Sequence, residues 1–522
     1  ISFNQFDFLW ALLLRGLFLY LLLLSFHFIM YFQKILPLLF LFISFSLSAN
    51  NEIICDDLDL TNLPFEISIT KNVPVENRAD LPDFCQIIGV IEPSINFEAR
   101  VPMSDWNGNY FQAGCGGFCG LVLPERETHS NSINHALRQG YAAITTDSGH
   151  EGEHIGDAKW AFNNPLAEQV YAGDILPITH SAGHHLIKAI YGIKPAFSYF
   201  SGCSNGGRLG AKAAQDYPNL FDGIIAGCPV LNLSMNGGVF GAWVLQANSD
   251  ENGNVILDKN FKSKIPLLEL NAINQCDSLD GKVDGIIQLP NECKIDLSGI
   301  PECIASNNSN CLTSAERIVV QKFYQGPKSS GGLKLFAGMP PGSEKYWDYW
   351  YLGTNMLKKP GILLADGYIK YLGMSQDPVH YSALDFNFDT DLEKLISQGY
   401  LFNAINPDLQ SFQKAGGKIL MWHGSADPLV LPNQSIDYYQ ALKTKMGSSN
   451  LKKFFRLYMV PGMGHCWEIP SALPDQMDLL TVLSLWVEEG IQPNNIPIRK
   501  NNLSDHIKKG LLKPYPQLAI YN

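Results

Sequence analysis

The chain carries little positive charge. Its 522 residues include 38 Lys and Arg against 50 Asp and Glu, which gives a net charge of −12. The basic residues form no cluster. An acidic chain without a basic patch gives no reason to expect nucleic acid or an anionic membrane as a partner.

The chain also lacks internal repeats, long low-complexity tracts and, after residue 50, any apolar stretch that resembles a membrane span. Only 17% of the residues are charged and 46% are hydrophobic, which at this length permits a large core. The 45 Gly and 30 Pro predict many loops. We therefore expect a large, loop-rich globular protein.

The first fifty residues differ from the rest because they hold two apolar stretches, Phe8 to Met30 and Ile35 to Leu47. We interpret Met30 as the translation start, residues 30–49 as a cleaved signal peptide, and residues 1–29 as upstream sequence translated in frame. The alternative is a membrane anchor, since the first stretch is long enough to span a bilayer. A cleaved signal predicts a secreted protein, extracellular or periplasmic, without stable membrane association.

Eleven cysteines fit an oxidising compartment, and their odd number leaves at least one free or paired outside the chain. Two of them, Cys203 and Cys466, directly flank Ser204 and His465. A disulfide between these two thiols would bring Ser204 and His465 together from distant parts of the chain. Spacing alone does not decide the pairing of the eleven.

Ser204 has the Gly-x-Ser-x-Gly spacing of a nucleophile elbow, a sharp turn that exposes the serine hydroxyl between a strand and a helix. The flanking residues fit this motif. Ala196 to Ser201 predicts a short buried strand, and Arg208 to Tyr217 predicts a helix that ends before Pro218. The alternative for the motif alone is an ordinary glycine-rich turn.

Two further predicted strands lead to candidate partners for Ser204. Lys418 to Trp422 precedes Asp427, and Phe455 to Val460 precedes His465. The chain order Ser, Asp, His is that of α/β-hydrolases and differs from the order in the two large serine-protease folds. In such a triad the imidazole takes the serine proton, and the carboxylate orients the imidazole.

Other residues could fill these roles. Asp147 could serve as the acid, and His150 or His423 as the base. The His-Gly-x-x-Asp loop after a strand favours Asp427, and the neighbouring Cys466 favours His465. We assign His150 to packing or to a loop hydrogen bond.

Several motifs in order make the chain resemble the tannase and feruloyl esterase family, whose mark is a Cys-Ser…Asp…His-Cys arrangement. The resemblance covers nearly everything after residue 50. Its motifs are Trp106-Asn107-Gly108, Gly114-Cys115-Gly116-Gly117, Thr146-Asp147-Ser148-Gly149-His150, Gly202 to Arg208, Phe221 to Gly227, Pro341-Gly342-Ser343-Glu344, Val460 to Cys466 and Pro514-Tyr515-Pro516-Gln517. It implies an α/β fold and an esterase acting on galloyl, feruloyl and related aromatic esters, including monoesters of aromatic diacids.

The separation of Ser204 from Asp427 exceeds a single helix-and-strand crossover, so an insertion is predicted. We expect an α/β-hydrolase core in two parts, residues 50–230 and 406–522, with residues 231–405 as a large inserted lid domain. Within the core, the residue after an elbow serine usually donates one oxyanion-hole N–H, here Asn205. The resemblance places the second donor at Gly117.

The resemblance also implies four disulfides. They are Cys55–Cys85, Cys203–Cys466, Cys276–Cys293 and Cys303–Cys311. Cys115 and Cys119 either bond locally or stay free, and Cys228 is left over. Lys513 stands where the family has a cysteine before Pro-Tyr-Pro-Gln, so the C-terminal tail is expected to be held less firmly.

An acidic loop in the predicted lid suits Ca²⁺, which prefers oxygen ligands. Its carboxylates recur at intervals of three and four residues between two cysteines. By resemblance the ligands are the side chains of Asp277, Asp280 and Asp284 and the carbonyls of Lys282 and Ile286. The alternative is a solvated Asp-Gly loop.

The aromatic residues of the predicted lid could hold an aromatic acyl ring, and we single out Trp350 and Tyr368. Arg317 is the only arginine between residues 231 and 405. An acyl group with a free carboxylate would be recognised best by an arginine. We therefore predict neutral phenolic esters as substrates. The alternatives are a diacid monoester hydrolase, a non-catalytic binding protein on a hydrolase scaffold, and a generic lipase or peptidase.

Overall fold

The computed structural model describes residues 53–64, 66–125, 132–304, 308–378, 380–466, 476–499 and 509–521. The predicted signal peptide, upstream segment and alternative anchor all lie outside these described residues. Within the described ranges, no helix is both long and apolar enough to cross a membrane.

A nine-stranded sheet forms the centre of the fold. Its strands are β1 (Ile67–Val75), β2 (Phe84–Ile91), β3 (Ile95–Pro102), β4 (Tyr110–Ala113), β5 (Ala142–Thr146), β6 (Ser198–Cys203), β7 (Gly223–Gly227), β8 (Lys418–Gly424) and β9 (Phe455–Val460). They are ordered β1-β2-β3-β5-β4-β6-β7-β8-β9. β1 pairs with β2, β2 with β3 and β3 with β5, all antiparallel, whereas β5, β4, β6, β7, β8 and β9 run parallel to one another.

Helices cover both the sheet and the segment between β7 and β8. They are α1 (Asn134–Leu137), α2 (Pro165–Gln169), α3 (Ile175–Tyr191), α4 (Asn205–Asp216), α5 (Gly241–Ala247), α6 (Ile265–Cys276), α7 (Ser314–Gln325), α8 (Trp347–Trp350), α9 (Pro360–Tyr371), α10 (Leu392–Phe402), α11 (Gln410–Ala415), α12 (Asn433–Met446), α13 (Ser448–Leu451) and α14 (Leu479–Glu488). Two π-helical turns, Val170–Asp174 and Ser234–Phe240, precede α3 and α5. This α/β architecture confirms the predicted fold class.

The central parallel strands are buried along their whole length, which explains their near-continuous apolar sequences. The strand predicted over Ala196 to Ser201 in fact spans Ser198–Cys203. It extends further because Cys203 still pairs with Gly227 of β7. The helix predicted from Arg208 begins three residues earlier, directly after Ser204.

The chain between β7 and β8 contributes no strand to the main sheet in the residues described there. Its two ends lie side by side, because the Ala404 N–H donates to the Leu231 carbonyl at 2.8 Å and the Ser234 N–H donates to Asn403 Oδ1 at 3.2 Å. This arrangement is compatible with an insertion over residues 231–405. Those bounds stay a prediction, since the segment belongs to the same compact unit as the core.

A second, antiparallel sheet was not expected from the sequence. It joins β10 (Gln476–Met477), β11 (Ile496–Arg499), β12 (Lys509–Leu512) and β13 (Ile520–Tyr521) in chain order. The tail around it is also held by hydrogen bonds. The Tyr515 N–H donates to the Leu457 carbonyl at 2.7 Å, and the Ala519 N–H donates to Gln288 Oε1 at 3.0 Å. These bonds hold the tail in place, and the expectation that it is held less firmly without a cysteine at position 513 stays a prediction.

Candidate active site

Ser204 lies on the sharp turn between β6 and α4, with φ 63° and ψ −119°. A non-glycine residue at positive φ is unusual and is typical of a nucleophile elbow. Glycines make the turn possible, because a Cβ at Gly202 would lie 2.6 Å from the Gly206 Cα, and a Cβ at Gly207 would lie 2.3 Å from the Gly227 oxygen. The Gly-x-Ser-x-Gly motif is therefore a strand–turn–helix junction and not an ordinary turn.

Asp427 and His465 occupy the loops that follow the neighbouring strands β8 and β9. His465 Nδ1 lies 2.7 Å from Asp427 Oδ2, and both side chains are buried. The other carboxylate oxygen accepts the N–H groups of Leu429 and Val430, each at 2.9 Å. The carboxylate is therefore held by three donors that fix its orientation toward the imidazole.

Asp427 is charged despite complete burial. Burial alone raises the pKa of this carboxyl, but the charges of His465 and His423 and their hydrogen bonds outweigh it, and the pKa falls to about 2. His423 Nε2 lies 3.4 Å from Asp427 Oδ2. The carboxylate is therefore available to stabilise a protonated imidazole at neutral pH.

The other candidate acid and bases bond to groups other than Ser204. Asp147 accepts hydrogen bonds from Asn96 Nδ2 at 2.7 Å and from the Gly149 N–H at 2.8 Å, and burial raises its pKa to about 6. His423 lies 2.7 Å from Ser435 Oγ through Nδ1 and 2.8 Å from the Val430 carbonyl through Nε2. Neither residue replaces the pair formed by Asp427 and His465.

His150 supports the loop that contains Gly117. Its Nε2 lies 2.7 Å from the Phe118 carbonyl, and its ring stacks on Trp160 with 3.6 Å between centroids. Burial lowers the pKa of His150 to about 4, so the ring is neutral at physiological pH. This is the packing and loop-bonding role expected from the sequence.

The disulfide Cys203–Cys466 joins the neighbours of Ser204 and His465, with 6.0 Å between its two Cα atoms. Cys466 Sγ also lies 3.5 Å from His465 Nε2. A single cross-link therefore connects the elbow to the loop that carries the imidazole.

The structure contains the other three expected bridges, Cys55–Cys85, Cys276–Cys293 and Cys303–Cys311. It also joins Cys115 to Cys119, a pair that the sequence left open. Cys228 is buried and unbonded, and its sulfur lies within 4.8 Å of the Asp427 carboxylate and the His465 ring. Burial and the nearby Asp427 charge both raise the pKa of this thiol, which keeps it protonated.

A small cavity of about 50 Å³ opens at Ser204. Both predicted oxyanion donors, Asn205 and Gly117, line it. Gly117 has φ +59°, and a Cβ there would lie 2.2 Å from the Ile155 oxygen, so the position requires glycine. The remaining lining residues are uncharged: Phe118, Tyr171, Val230, Leu233, Asn236, Gly237, Gly241, Tyr351, Gly361, Leu364, Ala365, Leu429 and Val430.

Neither Trp350 nor Tyr368 is among the residues that line this cavity. Trp350 packs edge-on against the His465 ring, with 5.6 Å between centroids. Tyr368 is fully buried and packs against Phe402. Their roles as substrate contacts stay predictions.

Sequence reasoning missed Tyr171, which lines the cavity from the core and not from the lid. It lies in the π-helical turn before α3, where Gly173 interrupts the helical backbone. No spacing or motif in the sequence connects this residue to Ser204. The buried position follows only from packing of the turn against α4.

The acidic loop has features that fit a bound cation. Asp280 Oδ2 is buried without a hydrogen-bond partner among the described residues. Burial raises the pKa of Asp284, and the charges of Asp280 and Asp277 raise it further. A calcium ion would satisfy the free oxygen and relieve this repulsion.

Main-chain hydrogen bonds already organise the loop. Asp280 Oδ1 accepts the Lys282 N–H at 2.9 Å, and Asp277 Oδ1 accepts the Ile286 N–H at 3.2 Å. In the structure, the carboxylates of Asp277, Asp280 and Asp284 do not form a group with ligand oxygens all within 4.8 Å of one another. A cation would therefore have to draw them closer, and calcium stays a proposal.

Comparison with known proteins agrees with this geometry. The family model described as tannase and feruloyl esterase matches residues 84–522. An uncharacterised esterase of Xanthomonas campestris is 30% identical over 84% of this chain and 82% of its own length. The mono(2-hydroxyethyl) terephthalate hydrolase of Piscinibacter sakaiensis is 28% identical over 85% of this chain and 83% of its own length.

The crystal structure of feruloyl esterase B from Aspergillus oryzae superimposes with a TM-score of 0.77 and 27% identity. It covers 89% of this chain and 95% of its own. The family match extends over the elbow, the loops after β8 and β9 and the segment between β7 and β8. The chain belongs to the tannase and feruloyl esterase family and is a carboxylic ester hydrolase.

Proposed function

We propose that the protein is a secreted serine esterase that cleaves neutral phenolic esters, such as feruloyl or galloyl esters, through an acyl-enzyme. The observation that carries the proposal is the 2.7 Å contact of His465 with Asp427, cross-linked through Cys466 and Cys203 to the elbow that holds Ser204. A serine hydroxyl is a weak nucleophile unless an adjacent base removes its proton. His465 is the base that this arrangement supplies.

The reaction has two balanced halves. Ser204 Oγ attacks the ester carbonyl while His465 takes the hydroxyl proton, and collapse of the tetrahedral intermediate expels the alcohol, which receives that proton from His465. Water then attacks the acyl-enzyme with His465 again as base, which releases the carboxylic acid and restores the serine. Asp427, charged and held by three donors, stabilises the imidazolium in both halves.

Negative charge on the carbonyl oxygen needs two N–H donors in a water-poor cavity. Asn205 begins α4, so its N–H belongs to the unpaired first turn of that helix and is free to donate. Gly117 also lines the cavity, in a loop closed by the Cys115–Cys119 bridge. A donor on a rigid loop costs little reorganisation during the reaction.

The wall of the cavity supports a neutral acyl group. Its polar side chains are already used internally. Asn236, for example, donates to the Leu429 carbonyl at 2.8 Å and accepts from Gln434 Nε2 at 2.8 Å. A carboxylate placed here would lose its hydration, and no charged side chain lines the wall to bond it, which is costly.

The name of the Piscinibacter relative raises the alternative of an aromatic-diacid monoester. That alternative needs a cation on the cavity wall that can bond the acyl carboxylate. Arg317 instead donates to the carbonyls of Leu297 and Ile300, away from Ser204. Neutral esters are therefore the better-supported class, and family membership disfavours the non-catalytic alternative.

The cavity volume also bears on the substrate. About 50 Å³ is smaller than the roughly 150 Å³ of a protein cavity that accepts benzene. A phenolic ring therefore needs its wall to move. Leu233 and Leu364 are flexible side chains on that wall.

Secretion and calcium complete the proposal. Five disulfides fit an oxidising compartment such as the periplasm or the extracellular space. Calcium at Asp277, Asp280 and Asp284, with the carbonyls of Lys282 and Ile286, would hold the lid loop folded. The partner is a small aromatic ester, and we expect neither nucleic acid binding nor stable membrane association.

Ser204→Ala should abolish hydrolysis of a chromogenic phenolic ester while leaving the melting temperature near the parent value, because no other activated nucleophile lines the cavity. Steady-state rates and circular dichroism measure the two effects. Ser201→Ala, a buried serine in β6, is the matched control and should keep activity. Turnover of Ser204→Ala within about tenfold of the parent would contradict the assignment of the nucleophile.

Acyl specificity should favour neutral rings. We expect kcat/KM for methyl ferulate or methyl gallate to exceed that for monomethyl terephthalate by about 100-fold or more, since a buried unpaired carboxylate costs several kcal/mol. Initial rates on this panel decide the class. Equal or faster hydrolysis of the terephthalate monoester supports the diacid alternative, and a preference for acetyl esters over all three would show that aromatic rings are not the substrates.

The bridge between Cys203 and Cys466 should serve catalysis as well as stability. The double variant Cys203→Ala/Cys466→Ala should lose about 100-fold in kcat even at temperatures where circular dichroism shows a native fold, because misplacing a base by about 1 Å costs that much. Cys303→Ala/Cys311→Ala removes a bridge in the lid and should keep the parental rate. If the first variant melts earlier but turns over normally in the cold, the bridge is only a structural cross-link.

Calcium should stabilise the fold. A ligand bound only by the native state adds about 2.7 kcal/mol at 100 times its dissociation constant, so EDTA should lower the melting temperature by several degrees and added Ca²⁺ should restore it. Asp280→Asn should remove this response, whereas Asp296→Asn, in a neighbouring loop, should retain it. An unchanged melting curve together with no metal by elemental analysis would reject the site.

A further inference from the structure

Arg208 is a fully buried cation next to the nucleophile elbow. It occupies the fourth position of α4, near the positive end of the helix dipole, which disfavours a cation. No carboxylate pairs with it among the residues the structure describes. Burial, the nearby helix N-terminus and the lack of a counter-charge each disfavour a charged guanidinium at this position. We therefore expect Arg208 to have a specific role.

The guanidinium of Arg208 donates its hydrogen bonds to neutral oxygens. Nε donates to Asn205 Oδ1 at 2.8 Å, and Nη2 donates to the Tyr171 carbonyl at 2.9 Å. Nη1 donates to the carbonyls of Ala172 and Phe402 at 2.8 and 2.9 Å. The planar guanidinium therefore fixes four groups at once, which a lysine cannot do.

The first of these contacts leads to one wall of the cavity at Ser204. With its oxygen held by Arg208, the Asn205 side chain directs Nδ2 toward the Cys115 carbonyl at 3.3 Å and toward Cys119 Sγ at 3.4 Å. Both cysteines belong to the loop that carries Gly117. The chain of contacts thus runs from Arg208 through Asn205 to this loop.

The second contact leads to the same loop by another route. The guanidinium lies 5.0 Å from the Tyr171 ring centroid and bonds the carbonyl of the same residue. The Tyr171 hydroxyl donates to the Gly117 carbonyl at 3.1 Å. Arg208 is therefore connected by two independent routes to the two segments that hold the N–H groups of Asn205 and Gly117.

We infer that Arg208 is a positioning residue of the oxyanion hole, one that fixes the spacing between the N–H donors of Asn205 and Gly117. The inference rests on the proposed function. Arg208 should then strengthen binding of the tetrahedral, negatively charged intermediate and have little effect on binding of the uncharged ester. The bond to the Phe402 carbonyl offers a competing role, a purely structural link to the end of α10.

The two roles differ in what they do to transition-state affinity. A phenylboronic acid forms a tetrahedral anion on a serine hydroxyl and so reports on the oxyanion hole, whereas a non-hydrolysable phenolic amide reports on ground-state binding. For Arg208→Lys we expect boronate affinity and kcat to fall together by about 10- to 100-fold. The affinity for the amide and KM should stay within about threefold of the parent.

Arg100→Lys is the matched control. Arg100 is an equally buried arginine, but it lies in β3 and is paired with Glu98 at 2.8 Å. It should lower the melting temperature without changing the ratio of boronate to amide affinity. If Arg208→Lys leaves the ratio of boronate to amide affinity unchanged, whether both affinities fall or neither does, the inference is overturned.

Tyr171→Phe provides a second variant should Arg208→Lys not fold. It removes only the hydroxyl that bonds the Gly117 carbonyl, and we expect a selective fall of about 3- to 10-fold in boronate affinity. An unchanged boronate affinity in this variant counts against the inference. If the parent enzyme itself neither binds the boronate nor hydrolyses phenolic esters, the proposed function fails, and that outcome is distinct from a failure of the role of Arg208.

Discussion

The close approach of four backbone segments around Ser204 is the constraint on which the rest of the site depends. The end of β6, the first turn of α4, the loop after β4 and the end of β7 lie so near one another that a Cβ at Gly202, Gly206 or Gly207 would be 3.0 Å or less from a backbone atom. Ser204 is thereby forced to positive φ, a strain of roughly 1–3 kcal/mol. The strain persists because the surrounding contacts leave no alternative, including the Ser204 N–H bond to the Gly227 carbonyl at 2.9 Å.

Two buried charges of opposite sign flank the elbow, and neither belongs to the cavity wall. Asp427 is stabilised by the imidazoles of His465 and His423 and by two N–H groups, and Arg208 is stabilised by carbonyl and amide oxygens. Fixed dipoles replace water around Arg208, whereas N–H dipoles and two imidazoles do so around Asp427. The cavity can therefore remain apolar, while negative charge that develops on the substrate during the reaction would be stabilised by oriented N–H donors.

The sequence predicts the elbow and the positions of Asp427 and His465 after two strands because each depends on a local signal. The signal is a glycine pattern for the elbow and a short apolar strand before each of the other two residues. The role of Tyr171 could not be predicted, since it reaches the cavity only through packing of a π-helical turn. Aromatic residues such as Tyr368 look like substrate contacts in the sequence, yet large rings are equally suited to fill an interior. The antiparallel strands β1 to β3 and the small second sheet depend on long-range pairing, for which the sequence holds no local mark.

The ends of the segment between β7 and β8 restrict how the cavity can enlarge. The Ala404 bond to the Leu231 carbonyl joins the two ends to each other, and the Arg208 bond to the Phe402 carbonyl ties the second end to the core. A swing of the whole segment would break the bond from Arg208, which is strong because its donor is charged. Rotation of Leu233 or Leu364 on the wall breaks none, and changes between staggered rotamers are fast and inexpensive. Entry of an aromatic ring is therefore easiest to explain by side-chain rotation within a segment whose ends stay in place. Such rotation also leaves the loop that carries Gly117 undisturbed while the substrate enters.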